Sequence, residues 1–409
     1  MSRIESIELY LVQTPLPAPF SPAWVVGGTR TSSAYYLIRL RTEDGVEGFS
    51  AFTAMGRERA GIGDFLAHAF LGKDPTDIDH VLEMLRVPGY GGLRNFWIEP
   101  AFWDIKGKLA GQPVYRLLGG EATPLRLYAS SGEVKDVGAR IEECWARHEE
   151  GFSTLKVRVH DFDERVDIRQ IQEPAEALRG KLKLAVDCNQ AFWHTANGPG
   201  PKWDLARAKR FCDAAYEADL AWVEEPLFME WYDQMADLTA YSRVAVSGGE
   251  LHTSGFPELK YMVEKRCYDI FQPDAMWTGG ISQTLQVAKL VREAGLKFTG
   301  HSWSNGIGFA VNMHVLLASG FANEMEYEYP LSPPGWTVEA RDSILTEPWR
   351  HDRGTLQPPT LPGLGFEIDE AALAHYGRCF FKANRTVRSW MPESLHDLTI
   401  PTTPVPRES

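Results

Sequence analysis

The amino-acid sequence predicts an α/β protein, a (β/α) barrel preceded by a separate α+β capping domain. Three observations carry this. Residues 1–124 pass from strand-type runs to helical periodicity. Residues 125–330 alternate short β-rich runs with amphipathic stretches, the rhythm of a parallel sheet. Acidic and imidazole side chains then recur at the ends of those runs at the spacing of one strand-helix unit. A chain of 409 residues suits two domains, one of them large.

The capping domain is expected over residues 1–124. SIELYLVQT and SAYYLIRLRTEDGVEGFS are rich in β-branched and aromatic residues, and the second carries an Asp-Gly turn. Between them PLPAPFSPAWVVGG reads as a loop that leaves Phe20 and Trp24 exposed. From about Gly61 to Leu118 the pattern is helical. EPAFWDIKGKLAGQPVYRLLGG has apolar spacing near 3.6 and stops at Gly-Gly.

The barrel is expected over residues 125–330. Its strands are LRLYASS, STLKVRV, KLKLAVDCN, AWVEEPL, VAVSGGE, YDIFQPDAM, LKFTGHS and NEMEYEYP, with helices such as ISQTLQVAKLVREAG between them. Eight runs favour a closed barrel over an open sheet. Residues 331–409 are rich in Pro, Gly and Trp, with a helical signal near DEAALAHYGRCFFK, and are expected to return to the capping domain. The last fifteen or so are expected to be poorly ordered.

Composition narrows the function. With 42 basic and 55 acidic residues the net charge is −13, and no basic run stands out, which argues against nucleic acid. Any anion site has to be built locally. The 44% hydrophobic and 24% charged fractions are those of a soluble globular protein. No window approaches the roughly 18 apolar residues of a membrane span, and the N-terminus lacks a basic start with an apolar run. A soluble, cytoplasmic protein without a membrane partner is expected. The 5 cysteines lie far apart with no CxxC pair and read as buried free thiols in a reducing compartment.

The chemistry rests on Asp187, Glu224, Glu250, Asp274, His301 and Glu326, separated by steps of 37, 26, 24, 27 and 25 residues. In a barrel, residues at that period converge on one mouth. Acids at the ends of apolar strands are costly unless paired or bound to a cation. One alone would cap a helix or pair with a rim Lys or Arg; three from consecutive strands, Asp187, Glu224 and Glu250, make an all-oxygen site suited to Mg²⁺. Asp274 and His301 fall on neighbouring strands, where the carboxylate orients one ring nitrogen and raises the basicity of the other. Lys156 and Arg158 are two apart and share one face of the second strand, placed to neutralise a carboxylate at the mouth.

Taken together, WDIKGKLAGQPVYRLLGG, Lys156-x-Arg158, VDCN, VEEP, GGE, QPDAMWTGG, GHS and MEYEYP resemble the enolase superfamily, in its mandelate racemase and muconate lactonizing enzyme branch. Each motif is weak alone; eight in order at barrel spacing are specific. The resemblance covers nearly the whole chain. It implies a modified TIM barrel of (β/α)7β type, Mg²⁺ on Asp187, Glu224 and Glu250, and a His301–Asp274 base dyad. It also implies Glu326 beside the substrate carboxylate, Lys156 neutralising that carboxylate, and Asn189 lining the site. The segment from about Leu16 to Gly28 resembles the family's substrate-covering loop, making Phe20 and Trp24 specificity candidates. A homo-oligomer is implied as well.

One departure is informative. Arg158 stands where the branch usually has a second lysine base, and arginine is a poor proton acceptor. It can still hold a carboxylate or hydroxyl through paired hydrogen bonds. Racemisation in a fixed site wants a base on each face of the α-carbon, whereas β-elimination needs one base and one acid. The expected activity is therefore a Mg²⁺-dependent acid sugar dehydratase, giving a 2-keto-3-deoxy acid from a small carboxylate substrate. Trp193, Trp303 and Asn305 at the mouth suit a polyol chain, although packing would use the aromatics equally. The rivals are a racemase or epimerase of the same branch and a metal-binding barrel without activity.

Overall fold

The computed structural model describes residues 2–54, 59, 61–193 and 197–390. Three antiparallel strands open the chain: β1 (Ile4–Phe20), β2 (Arg30–Thr42) and β3 (Glu47–Thr53). The β2–β3 hairpin turns at Asp44-Gly45, where Gly45 takes a φ of +80°. Helices Ile62–Phe70, Ile78–Gly89 and Glu99–Ala110 follow. Gly48 lies so close to the Ala101 carbonyl that a Cβ there would collide with it, and this lets strand and helix pack backbone to backbone.

The PLPAPF segment is not the loop expected of it. β1 continues to Phe20 after an irregularity, with Pro15 opposite Ser32 and Phe20 opposite Arg30. Prolines 15, 17 and 19 alternate, so their fixed extended φ suits a strand and their missing N–H groups all fall on one side. The irregular turn is confined to residues 21–29.

Eight parallel strands follow: β4 (Leu125–Ser130), β5 (Thr154–Arg158), β6 (Lys183–Asp187), β7 (Trp222–Glu224), β8 (Ala245–Gly248), β9 (Ile270–Phe271), β10 (Lys297–Phe298) and β11 (Tyr327–Pro330). Their order is β10-β9-β8-β7-β6-β5-β4-β11, a sheet curled on itself. The seam between β10 and β11 is bridged by side chains. Ser302 N–H donates to Glu328 Oε2 at 2.7 Å, and Thr299 Oγ1 donates to the Glu326 carbonyl at 2.9 Å. Helices between the strands start on acid or amide caps, Asp136, Asp163, Asp204 and Asn305, each accepting from a backbone N–H of the first turn. Helix Gly306–Ser319 (GIGFAVNMHVLLAS) is apolar apart from Asn312, His314 and its terminal Ser319, and it is buried from Gly306 to Leu317, because it packs against both the barrel helices and β3 of the cap.

After the barrel, β12 (Thr355–Leu356) pairs antiparallel with β4, and helix Glu370–Tyr376 leads into β13 (Gly377–Asn384), which pairs antiparallel with β1. β14 (Arg388–Trp390) extends that sheet. The helical signal of DEAALAHYGRCFFK thus holds only to Tyr376. Phe380, Phe381 and Ala383 are then buried as strand residues in the capping sheet. The expectation of poor order at the very end concerns residues outside the described set.

Cap and barrel are joined through Glu99. Its carboxylate accepts from Ile281 N at 2.6 Å, from Ser282 N at 3.2 Å, from the Ser282 hydroxyl, and from Trp103 Nε1 at 3.0 Å. The first two donors belong to the free N-terminus of helix Gly280–Glu293. Burial raises the Glu99 carboxyl to about 7 against these donors. All five cysteines are free, four of them buried. Among the described residues no helix is long and apolar enough to cross a membrane.

Candidate active site

β5, β6 and β7 are in register so that Arg158, Asp187 and Glu224 form one row across three neighbouring strands. Residues in a row of a parallel sheet point to the same side, here the barrel interior at the strands' C-terminal ends. All three side chains are buried, and so is Lys156, two residues before Arg158.

Each buried cation meets at least one carboxylate. Arg158 Nη1 donates to Asp187, while its Nε donates to the Ser131 carbonyl at 2.8 Å. Lys156 Nζ sits between two carboxylates, 2.7 Å from Glu224 Oε1 and 2.7 Å from Glu328 Oε1. Burial disfavours its charge, but Glu224 and Glu328 together raise its pKa above the ordinary lysine value. Lys156 is held as a cation and offers no proton-accepting site. Glu328 shows the converse. Burial alone would raise its carboxyl, yet Lys156, His301 and Arg158 hold it down to about 2.

His301 is clamped by acids on both ring nitrogens. Nδ1 is 3.0 Å from Asp274 Oδ2, and Nε2 is 2.8 Å from Glu250 Oε2. Asp274 is fixed in turn by Asn312 Nδ2 at 2.8 Å and by the Met276 N–H at 2.9 Å. Burial pulls the imidazole pKa down, but the charges of Glu250 and Glu328 and the hydrogen bond to Asp274 carry it well above the usual histidine value.

Above this layer is a cavity of about 540 Å³. Arg158, Asn189, Glu250 and His301 form its inner end. Phe20, Trp24, Trp303 and Trp336 form an aromatic wall, with Phe20 stacked on Trp303 at 5.8 Å and Trp24 edge-on to it at 5.0 Å. The guanidinium of Arg158 lies 5.3 Å from the Trp24 ring, in cation–π range. Trp303 is anchored by its Nε1, which donates to Ser130 Oγ at 2.7 Å. The cap thus touches the inner site directly through Phe20 and Trp24.

Two placements differ from those expected of the sequence. Glu326 does not reach the mouth: β11 begins only at Tyr327, so Glu326 lies at the strand's entry end, where Ser153 Oγ donates to it. The acid in the site is Glu328, two residues on and fully buried. A signal for it was present, since Glu328 follows His301 by the same 27 residues that separate His301 from Asp274. Trp193 also turns away, stacking on Phe228 at 4.5 Å outside the cavity. Arg30 and Trp336, which line the cavity, carry no periodic signal because they sit at a strand start and in the tail.

Among the described residues no three His, Cys, Asp or Glu side chains are drawn together as ligands of one ion. Each acid of the row faces a protein cation instead. The chemistry of the donors nevertheless fits a hard divalent cation. Asp187, Glu224 and Glu250 are oxygen donors from consecutive strands. Burial lifts Asp187 above its ordinary range and Glu224 to about 7, with Glu250 acting on the first and Asp187 on the second through like charge. Neighbouring Glu225, also buried, has no partner for either carboxylate oxygen. The pocket carries more negative charge than its own cations offset.

Two family models match the chain, "Enolase C-terminal domain-like" over residues 139–372 and "Mandelate racemase / muconate lactonizing enzyme, N-terminal domain" over residues 6–119. The L-talarate/galactarate dehydratase of Salmonella typhimurium is 30% identical over 388 residues, covering 90% of each chain. The D-galactarolactone cycloisomerase of Agrobacterium fabrum is 26% identical, covering 91% of this chain and 98% of the relative. The crystal structure of the Salmonella dehydratase liganded with Mg and L-lyxarohydroxamate superposes with a TM-score of 0.78 at 27% identity, covering 94% of this chain and 95% of that one.

Proposed function

This chain belongs to the mandelate racemase and muconate lactonizing enzyme branch of the enolase superfamily, and from that premise we propose that it is a Mg²⁺-dependent acid sugar dehydratase. One observation carries the choice of reaction. Of the cationic and imidazole side chains around the inner site, Lys156 keeps Glu328 as its counter-charge at 2.7 Å even when Glu224 is given to a metal ion, and Arg158 is a guanidinium, a poor proton acceptor. His301 alone can cycle a proton.

Asp187, Glu224 and Glu250 would hold the Mg²⁺, releasing their present hold on Arg158, Lys156 and His301. When bound, that ion supplies electrophilic stabilisation of the charge that develops on the substrate carboxylate. Arg158, freed from Asp187, is placed to donate to the same carboxylate from the cavity floor. Lys156 keeps Glu328 ionised and in place. Asp274 accepts from Nδ1–H of His301, which leaves the Nε2 lone pair to take the α-proton. The resulting imidazolium then returns its proton to the departing β-hydroxyl as water leaves. Tautomerisation of the enol gives the 2-keto-3-deoxy acid.

A racemase or epimerase would need a second proton acceptor, which neither Lys156 nor Arg158 provides in these surroundings. The test is incubation with Mg²⁺ and a panel of sugar acids, assayed for 2-keto acid. His301→Asn should abolish product while retaining Mg²⁺ affinity. Deuterium at Cα of recovered substrate with an inverted epimer and no 2-keto product would overturn the dehydratase reading.

A further inference from the structure

The cavity has two arginines, and they are in opposite situations. Arg158, at the inner end, is fully engaged by Asp187, the Ser131 carbonyl and Asn189 Oδ1 at 3.4 Å. Arg30 opens β2 at the rim, its backbone opposite Phe20. Among the described residues no carboxylate, carbonyl or hydroxyl takes a hydrogen bond from its guanidinium, and no acid influences its ionisation. A cation on a cavity wall without a counter-charge is a ready site for an anion.

A second observation concerns a residue of the same cavity wall. Asn305 lines the cavity and is 5% exposed. Its Oδ1 is used to cap helix Gly306–Ser319, accepting from Ile307 N at 3.0 Å and Gly308 N at 3.1 Å. Its Nδ2 is buried with no partner. A donor in that state costs free energy unless a ligand satisfies it. Ser32, Ser33 and Thr53 add hydroxyls on the Arg30 side of the cavity.

We infer that the substrate is a dicarboxylic sugar acid, an aldarate, whose distal carboxylate is held by Arg30 while Asn305 Nδ2 donates to an oxygen of the chain between. The inner carboxylate and α-carbon lie at Arg158 and His301, and the aromatic wall of Phe20, Trp24 and Trp303 faces the carbon chain. An aldonate, with an uncharged hydroxymethyl at that end, leaves the Arg30 guanidinium unanswered. Arg30 thus sets specificity and takes no part in proton transfer. The inference rests on the proposed reaction only in calling the ligand a sugar acid.

The experiment uses matched pairs, each an aldarate and the aldonate of the same stereochemistry, with the full chain and Mg²⁺. Binding is measured calorimetrically in the His301→Asn variant, and turnover in the protein with His301 intact. Aldarates should bind at least about 10-fold more tightly than their partners, the order expected for a charge-assisted contact. Arg30→Gln should raise KM for an aldarate roughly 10- to 100-fold with a small change in kcat. Arg30→Lys should restore part of the loss, which a purely structural role would not predict. Thermal melting confirms that both variants fold. Equal binding of aldarate and aldonate, or an equal loss for both in Arg30→Gln, would overturn the assignment. If the binding preference holds but no 2-keto product forms, the dehydratase reading fails and the Arg30 assignment stands. If aldonates alone are dehydrated, the reverse is true.

Discussion

Asp274 holds His301 by its Nδ1, 3.0 Å from Oδ2, and is itself oriented by Asn312. The contact fixes which imidazole nitrogen carries the proton. Asp274→Asn replaces an acceptor by an amide that can present N–H to Nδ1, favouring the tautomer with Nε2 protonated. Loss of the base should lower kcat by about 10²- to 10⁴-fold, with Mg²⁺ affinity within a factor of a few of the parent. Steady-state kinetics and metal titration check both. Turnover within twofold of the parent would remove Asp274 from the mechanism.

Glu326 and Glu328, two residues apart, should respond oppositely to the same change. Glu326 is half-buried at the barrel's far end, so Glu326→Gln should shift stability by no more than about 0.5 kcal/mol and leave kcat/KM within about twofold. Glu328→Gln removes the charge that pairs with buried Lys156 at 2.7 Å. Breaking a buried pair from one side costs ~3 kcal/mol or more where nothing compensates, and Glu224 remains to share Lys156, so ~1–3 kcal/mol is expected. Activity should fall at least about 100-fold. Denaturant unfolding and kinetics on the two variants decide the matter.

These two glutamates also show where reading the sequence succeeds and stops. The eight strand runs were legible because a parallel barrel needs short apolar strands at regular intervals, and the polar residues ending them, Asp187, Glu224, Asp274 and His301, announced the mouth. The choice between Glu326 and Glu328 depends on where β11 begins, and strand ends shift by a residue or two without altering the pattern. Alternation gives both the same face, and only depth along the barrel separates them. PLPAPF misled for another reason: three prolines read as a loop, yet at alternate positions they are compatible with an extended edge. Arg30 gave no signal because what sets it apart, a guanidinium without a partner among the described residues, is a property of tertiary surroundings.

Glu99 ties the cap to the barrel, and its carboxyl is raised by burial from 4.5 to about 7. In that interval the native state holds a proton that the unfolded chain has released. The sign follows: the contribution is present below about 4.5, declines as pH rises through about 7, and is constant above. At 1.36 kcal/mol per unit the change is ~3 kcal/mol. Glu99→Ala abolishes this slope and leaves the Ile281 and Ser282 N–H groups without acceptors. Unfolding free energies at pH 5 and pH 8 should therefore differ between parent and variant by more at pH 5. An identical gap at both would show that Glu99 does not titrate between them.

In the proposed reaction Arg158 is the residue on which the choice between elimination and racemisation turns. Its guanidinium stays protonated because it is delocalised and because Asp187, then Glu224 and Glu328, oppose the burial that would discharge it. Lysine at this position keeps a cation beside Asp187 but has one compact ammonium in place of a fork, and its pKa follows its surroundings far more readily. If Mg²⁺ on Asp187, Glu224 and Glu250 offsets the carboxylates that hold that ammonium charged, its pKa falls and a neutral amine becomes accessible. Arg158→Lys should then exchange the α-proton of recovered substrate with D₂O and form a trace of inverted epimer. Formation of 2-keto acid should fall by about 10-fold or more as the paired hydrogen bonds to the carboxylate are lost. Proton NMR of the recovered acid in D₂O reads both outcomes. Absence of exchange, with product formation still reduced, would place Arg158 at the carboxylate but away from the face of the α-carbon where a second base acts.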